Sequence, residues 1–150
     1  TRKTLVVLLG FDGELSSFIH EHVSPDELLV VNGFPAYYPK FKNTSLVSSE
    51  RIVSSAGTQR YYVAANNPFE TFNLLWNLKR KKPGAFFNVA PLGTKPMALG
   101  ACMLGLACPS VRIVYPLPER YAEKTTEESW RSWAYVLELP PQGSPREERG

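Results

Sequence analysis

Gly93, Thr94 and Lys95 sit between an apolar run and an apolar helical stretch within residues 85–100, AFFNVAPLGTKPMALG. Glycine lets a backbone approach a ligand closely, threonine brings a hydroxyl that caps or binds, and lysine brings a full positive charge. A strand that feeds a helix places its turn, here Pro91-Leu92-Gly93-Thr94-Lys95, at the carboxyl edge of an α/β sheet, where ligands bind. The first turn of such a helix has N–H groups without intrahelical partners, and the helix dipole adds partial positive charge. Together these features read as an anion seat suited to phosphate. The alternative for the same residues is a routine strand–helix turn with a threonine cap and a surface lysine.

A second glycine-bearing turn, Gly10-Phe11-Asp12-Gly13, closes the apolar run 4–9. A carboxylate repels phosphate, so Asp12 there either receives a ribose hydroxyl or base amine or caps the following helix. Asn32 ends the run 28–31, and Asn66 and Asn67 end the run 60–65, at the same edge of the expected sheet. Asparagine is also a common turn former. With Leu92 and Met97 from the first motif, the candidate ligand-binding set is Gly10, Phe11, Asp12, Asn32, Asn66, Leu92, Gly93, Thr94, Lys95 and Met97. Phe34, Tyr37, Tyr38 and Phe41 either stack on a base or pack a long loop against the body.

Other chemistries lack their residues. His20 and His22, the only histidines, lie two apart on a helix, so they diverge by about 200° and cannot chelate one metal. No serine stands in a nucleophile-elbow context with a histidine elsewhere to serve as its base. The chain has no GxxxxGK[ST] spacing, and GFDG is not the GxGxxG dinucleotide pattern. No catalytic residue, metal or cofactor is assigned.

The elements that must position these residues follow from apolar periodicity. Runs at 4–9, 28–31, 60–65, 85–89 and 111–115 read as strands. Helices are expected over 14–23, 47–56 (with Ser45 or Ser48 as N-cap), 69–82 and 94–107. An alternating stretch, 133–139, reads as an antiparallel edge strand. This alternation predicts an α/β, Rossmann-like three-layer sandwich with a mostly parallel sheet of five or six strands in the order 3-2-1-4-5. That order sets strands one and four side by side at the switch point, so both glycine-bearing turns flank one crevice. Residues 1–139 form the expected domain, and the tail 140–150, PPQGSPREERG, has nothing to bury and is expected to be disordered.

With 43% hydrophobic and 21% charged residues, the chain has an ordinary globular composition. It has no apolar run of the roughly 20 residues that cross a bilayer, and its two thiols, read as unbridged, fit an expected reducing, cytoplasmic setting. Cys102 and Cys108 point apart on a helix and read as small core residues rather than a bridge. A start at Thr1 rather than methionine points to processing or to a piece of a longer protein. The net charge of +3 hides a segregation: residues 28–118 hold ten basic and two acidic side chains, a local balance of +8. That field favours an anionic ligand or partner, although the run Lys79-Arg80-Lys81-Lys82 also suits a solvated helix end.

The chain resembles the CRISPR-associated Rossmann fold (CARF) family. Its members have a fourth strand leading into Asn/Asp-x-Thr-Gly-Gly-Thr-Lys/Arg-x-Met and then a helix. Asn88, Gly93, Thr94, Lys95 and Met97 match in order, with one extra residue after the asparagine and Leu92 in place of the first glycine. The resemblance implies a cytoplasmic homodimer that binds a cyclic oligoadenylate, or a related signalling nucleotide, in antiviral defence. It also implies an effector, as a further domain or a partner protein. A phosphodiesterase that opens the bound ring is the enzymatic alternative, and a basic nucleic-acid binding module is the third reading.

Overall fold

Continuous valine and leucine runs fill the centre of the sheet because parallel strands are covered on both faces. The computed structural model describes residues 1–35, 44–55, 57–117 and 134–138. The strands are β1 (Lys3–Leu8), β2 (Glu27–Gly33), β3 (Gln59–Val63), β4 (Phe86–Pro91) and β5 (Val111–Ile113). Between them lie α1 (Gly13–Val23), α2 (Thr44–Ser48), α3 (Glu50–Val53), α4 (Pro68–Arg80) and α5 (Lys95–Ala107). All five strands are parallel, in the order β3-β2-β1-β4-β5, so the fold is Rossmann-like α/β.

Alternation along the strands sorts the side chains into two cores. Val6, Leu8, Leu29, Val31, Val63, Phe87 and Val89 meet Leu75 and Leu78 of α4 and Met97, Ala101 and Leu104 of α5. Leu5, Val7, Leu28, Val30 and Ala90 meet Ile19 of α1 and Ile52 and Val53 of α3 on the other face. Gly100 brings α5 against α4: a Cβ there would lie 2.4 Å from the Pro68 carbonyl oxygen.

The structure departs from the sequence reading in a few places. β4 runs through Pro91, which pairs with Leu8, and Lys95 is the first residue of α5, so the turn shrinks to Leu92, Gly93 and Thr94. Proline is tolerated there because it closes the ladder and need not donate to it. The single helix expected over 47–56 is two short ones broken at Ser49, and Ser45 lies inside α2 rather than capping it. Ser48 Oγ donates to the Ser45 carbonyl and Ser55 Oγ to that of Arg51, the kind of local bonding that competes with a regular helix. Cys102 is exposed, not in the core, because α5 is apolar on faces that the sheet does not cover; neither cysteine is bridged.

The chain divides into two compact units, Thr1–Leu117 and Pro118–Gly150. In the second, 134–138 are described, with Ala134, Val136 and Glu138 exposed and Tyr135 and Leu137 half-buried. The sixth strand expected over 133–139 is not among those of the described sheet, and its end residues lie outside the described set, as do Tyr37, Tyr38, Phe41 and the tail 140–150. Among the described residues no helix is long and apolar enough to cross a membrane.

Candidate functional site

Strands β1 and β4 are neighbours whose connections leave in opposite directions, and this is the switch point of the sheet. A cleft opens at their carboxyl ends, lined by Leu9, Gly10 and Phe11 after β1, and by Leu92, Gly93 and Thr94 after β4. Gly33, Ala65, Ser45 of α2 and Met97 of α5 complete the walls. The two glycine-bearing turns touch: a Cβ on Gly10 would stand 1.9 Å from the Leu92 carbonyl oxygen. Met97 sulfur fills the floor, 3.2 Å from where a Cβ on Gly33 would be and 3.1 Å from one on Gly93. The cavity is therefore small, about 100 Å³, below the roughly 300–1,000 Å³ of a pocket that swallows a drug-sized ligand. It has room for a phosphate-sized group, with the remainder of any larger ligand lying over the rim at Phe11, which is 57% exposed.

Three long helices start at this edge, and their N-termini differ. Asp12 Oδ1 accepts from the Glu14 and Leu15 amides of α1, and Glu14 adds a carboxylate to the first turn. Asn67 Oδ1 accepts from the Phe69 and Glu70 amides of α4, while Glu70 reaches back to the Ala64 amide. Both ends are thus satisfied in the ordinary way, with acids complementing the dipole. α5 has no acid in its first turn, and a lysine is its first residue. Thr94 Oγ1 accepts from the Met97 amide at a long 3.4 Å, and Pro96 has no N–H to give. Among the described residues, the amides of Gly93, Thr94 and Lys95 donate to no protein acceptor. A cation at a helix N-terminus is unfavourable by itself; an anion bound there reverses the sign.

Of the ten expected ligand-binding residues, the cleft collects six: Gly10, Phe11, Leu92, Gly93, Thr94 and Met97. Lys95 stands beside it, exposed, with no acidic partner among the described residues. The Thr94 hydroxyl does not point its proton at a ligand; it donates to the Ala65 carbonyl and so fastens α5 to the end of β3. Asn32 is buried, and its Oδ1 accepts from Ser45 Oγ at 2.5 Å, which holds α2 as a wall of the cleft. Asp12 is the α1 cap, and Asn66 lies outside the lining, in the β3–α4 turn beside the cap Asn67. The reading from sequence missed Leu9, Gly33, Ser45 and Ala65. Gly33 was within reach, since a glycine that follows Asn32 at a strand end signals close approach of another element.

Among the described residues, none that lines the cleft carries a titratable side chain. Among the described residues, the one carboxyl held away from its ordinary value is at the opposite edge. Burial pushes Glu27 up, but the hydrogen bond and charge of Lys82, the Thr4 hydroxyl and the charge of Arg2 bring it below the usual range. Among the described residues, no cluster of three or more His, Cys, Asp or Glu side chains is placed to hold a metal ion. Fold and cleft together define a Rossmann-like α/β domain with its cleft at the switch point. No protein-family model matches the chain, and no curated protein matches it.

Proposed function

We propose that this chain is a sensor domain for a phosphate-bearing signalling nucleotide of the cyclic oligoadenylate kind, acting as a cytoplasmic homodimer in antiviral defence. The observation that carries the reading is the start of α5, where three amides with no protein acceptor among the described residues and Lys95 stand in place of the acid that the other long helices use. One phosphate enters the cleft against Gly93, Thr94 and Lys95, and Lys95 neutralises it from the rim. The remainder of the nucleotide lies outside, over the rim that Phe11 helps to form. The homodimer, the oligoadenylate and the antiviral setting rest on the family resemblance of residues 88–97.

A thermal-shift panel of cyclic oligoadenylates, cyclic dinucleotides and mononucleotides tests this, because a ligand that binds the folded state raises its apparent stability. A cyclic oligoadenylate is expected to give the largest shift. Loss of one charge-assisted contact costs about 1.5–3 kcal/mol, so Lys95→Ala weakens binding roughly 10- to 150-fold. A panel without any shift, or an unchanged affinity in Lys95→Ala, refutes the proposal.

A further inference from the structure

The fold breaks up the basic field of residues 28–118. Arg51 pairs with Glu21 at 3.0 Å, Arg60 donates to the Val53 carbonyl, Lys79 lies 6.0 Å from the centre of the Phe87 ring, and Lys82 pairs with Glu27 at 2.6 Å. Within the run Lys79-Arg80-Lys81-Lys82, the outer two are therefore held by the protein. Arg80 and Lys81 are exposed and, among the described residues, have no acidic partner. One turn before them on the same helix, Trp76 stacks on Phe72 with centroids 6.0 Å apart and keeps 36% of its surface in solvent. Trp76 and Arg80 are i and i+4 and share a face. Lys81 lines a second cavity of about 390 Å³ at the amino edge of the sheet, together with Arg2, Thr4, Glu27 and Lys82. Arg80 shares the face of the aromatic plane, and Lys81, next in the chain and roughly 100° further round the helix end, carries the strip on to a cavity of nucleotide size.

We propose that this strip, from Trp76 through Arg80 and Lys81 to the amino-edge cavity, binds single-stranded nucleic acid. One base stacks on the open face of Trp76, Arg80 and Lys81 take successive phosphates, and the next nucleotide enters the cavity beside Arg2. Such surfaces pair a stacking ring, tolerant of any base, with cations that follow the backbone. Glu27 does not repel the strand, since Lys82 neutralises it. The surface lies at the opposite edge of the sheet from the α5 cleft, so it stands or falls independently of the nucleotide sensor.

The test uses the 150-residue chain and fluorescein-labelled oligo-U and oligo-dT of about ten nucleotides, within the usual site size, read by anisotropy across a salt series. Trp76→Ala is expected to weaken binding about 5- to 150-fold and Trp76→Phe to restore most of it. The double variant Arg80→Ala/Lys81→Ala lowers the slope of log K against log salt by about 1.4, at roughly 0.7 per lost contact. Melting curves report whether each variant is folded, and the double variant, altered only at exposed positions, serves if Trp76→Ala does not fold. Absence of binding at low salt, an unchanged affinity in folded Trp76→Ala or an unchanged slope in the double variant overturns the proposal. So does equal displacement by poly-glutamate, which would make the strip a general polyanion patch.

Discussion

Thr94→Val separates a hydroxyl that serves the fold from one that serves a ligand. Valine keeps the shape of threonine and deletes only the polar atom, so no cavity opens. The hydroxyl makes two bonds, donating to the Ala65 carbonyl and accepting from the Met97 amide at 3.4 Å. Loss of an N-cap costs about 0.5–2 kcal/mol, and the long distance puts this one in the lower half. An unpaired carbonyl of a buried residue costs about 1–3 kcal/mol, and Ala65 is buried. The two losses come to about 1.5–4 kcal/mol. With a urea m-value of about 2 kcal/mol/M, the denaturation midpoint falls by roughly 0.75–2 M, and Thr94→Ser recovers most of the shift. A midpoint within about 0.25 M of wild type, near 0.5 kcal/mol on the same m-value, would show that the hydroxyl is not structural. In that case its proton is free for a ligand, and the account of the cleft given above is wrong.

Two further perturbations address other parts of the molecule. Glu27, held below the ordinary carboxyl value, stabilises the fold above the unfolded value near 4.3 and loses that contribution as pH falls through the folded one. Its side chain is 12% exposed and that of Lys82 is 21%, so the pair is partly screened and Glu27→Gln costs about 1–2 kcal/mol at neutral pH. Urea titrations at a series of pH values should show this difference shrink as pH falls below the unfolded value near 4.3; a constant difference would mean that charge is not what Glu27 contributes. Gly13→Ala places a Cβ 1.5 Å from the Ser48 carbonyl oxygen, a backbone atom that moves only if α2 moves. Overpacking of this kind costs about 1–3 kcal/mol or more, against the gain of up to about 1 kcal/mol that alanine brings to a helix. A neutral or stabilising outcome in the same urea assay would contradict the close seating of α2 on α1.

The central layer of the fold was legible because its signal is local. Runs such as Leu5 to Leu9 and Leu28 to Val31 are apolar on every residue, as strands covered on both faces must be, and from them the order β3-β2-β1-β4-β5 followed. The serine-rich stretch between residues 44 and 55 was not legible, because its geometry is decided by hydroxyl bonds to nearby carbonyls and by the Ser45–Asn32 bond across thirteen positions. The exposure of Cys102 was hidden for another reason: α5 is apolar nearly all round, so its sequence does not say which face turns to the sheet. At the site, the turn and its glycine were recognisable from composition. The partner of Thr94 was not, since Ala65 lies 29 residues away and presents only a backbone carbonyl, which no residue type announces.

A charge count along a chain and a charge map of its fold answer different questions, and a parallel sheet makes the difference large. Every strand points the same way, so helix N-termini gather at one edge and C-termini at the other. Cations at helix C-termini complement the dipole, which accounts for Lys79 and Lys82 without any ligand. Lys95 has no such explanation, because it stands at the positive end of α5 with neither an acid in the first turn nor a salt-bridge partner among the described residues. Among the described residues, Lys95 at the carboxyl edge is consequently more informative than the four cations at the end of α4. Its placement costs free energy in the unliganded protein, and only an anion at Gly93 to Lys95 turns that cost into a gain. Lys95→Gln should therefore leave the unliganded protein as stable as wild type or slightly more so, while removing affinity for phosphate. If the urea midpoint of the unliganded variant instead falls by more than about 0.25 M, near 0.5 kcal/mol, Lys95 has a structural partner, and the charge at the head of α5 ceases to argue for a ligand.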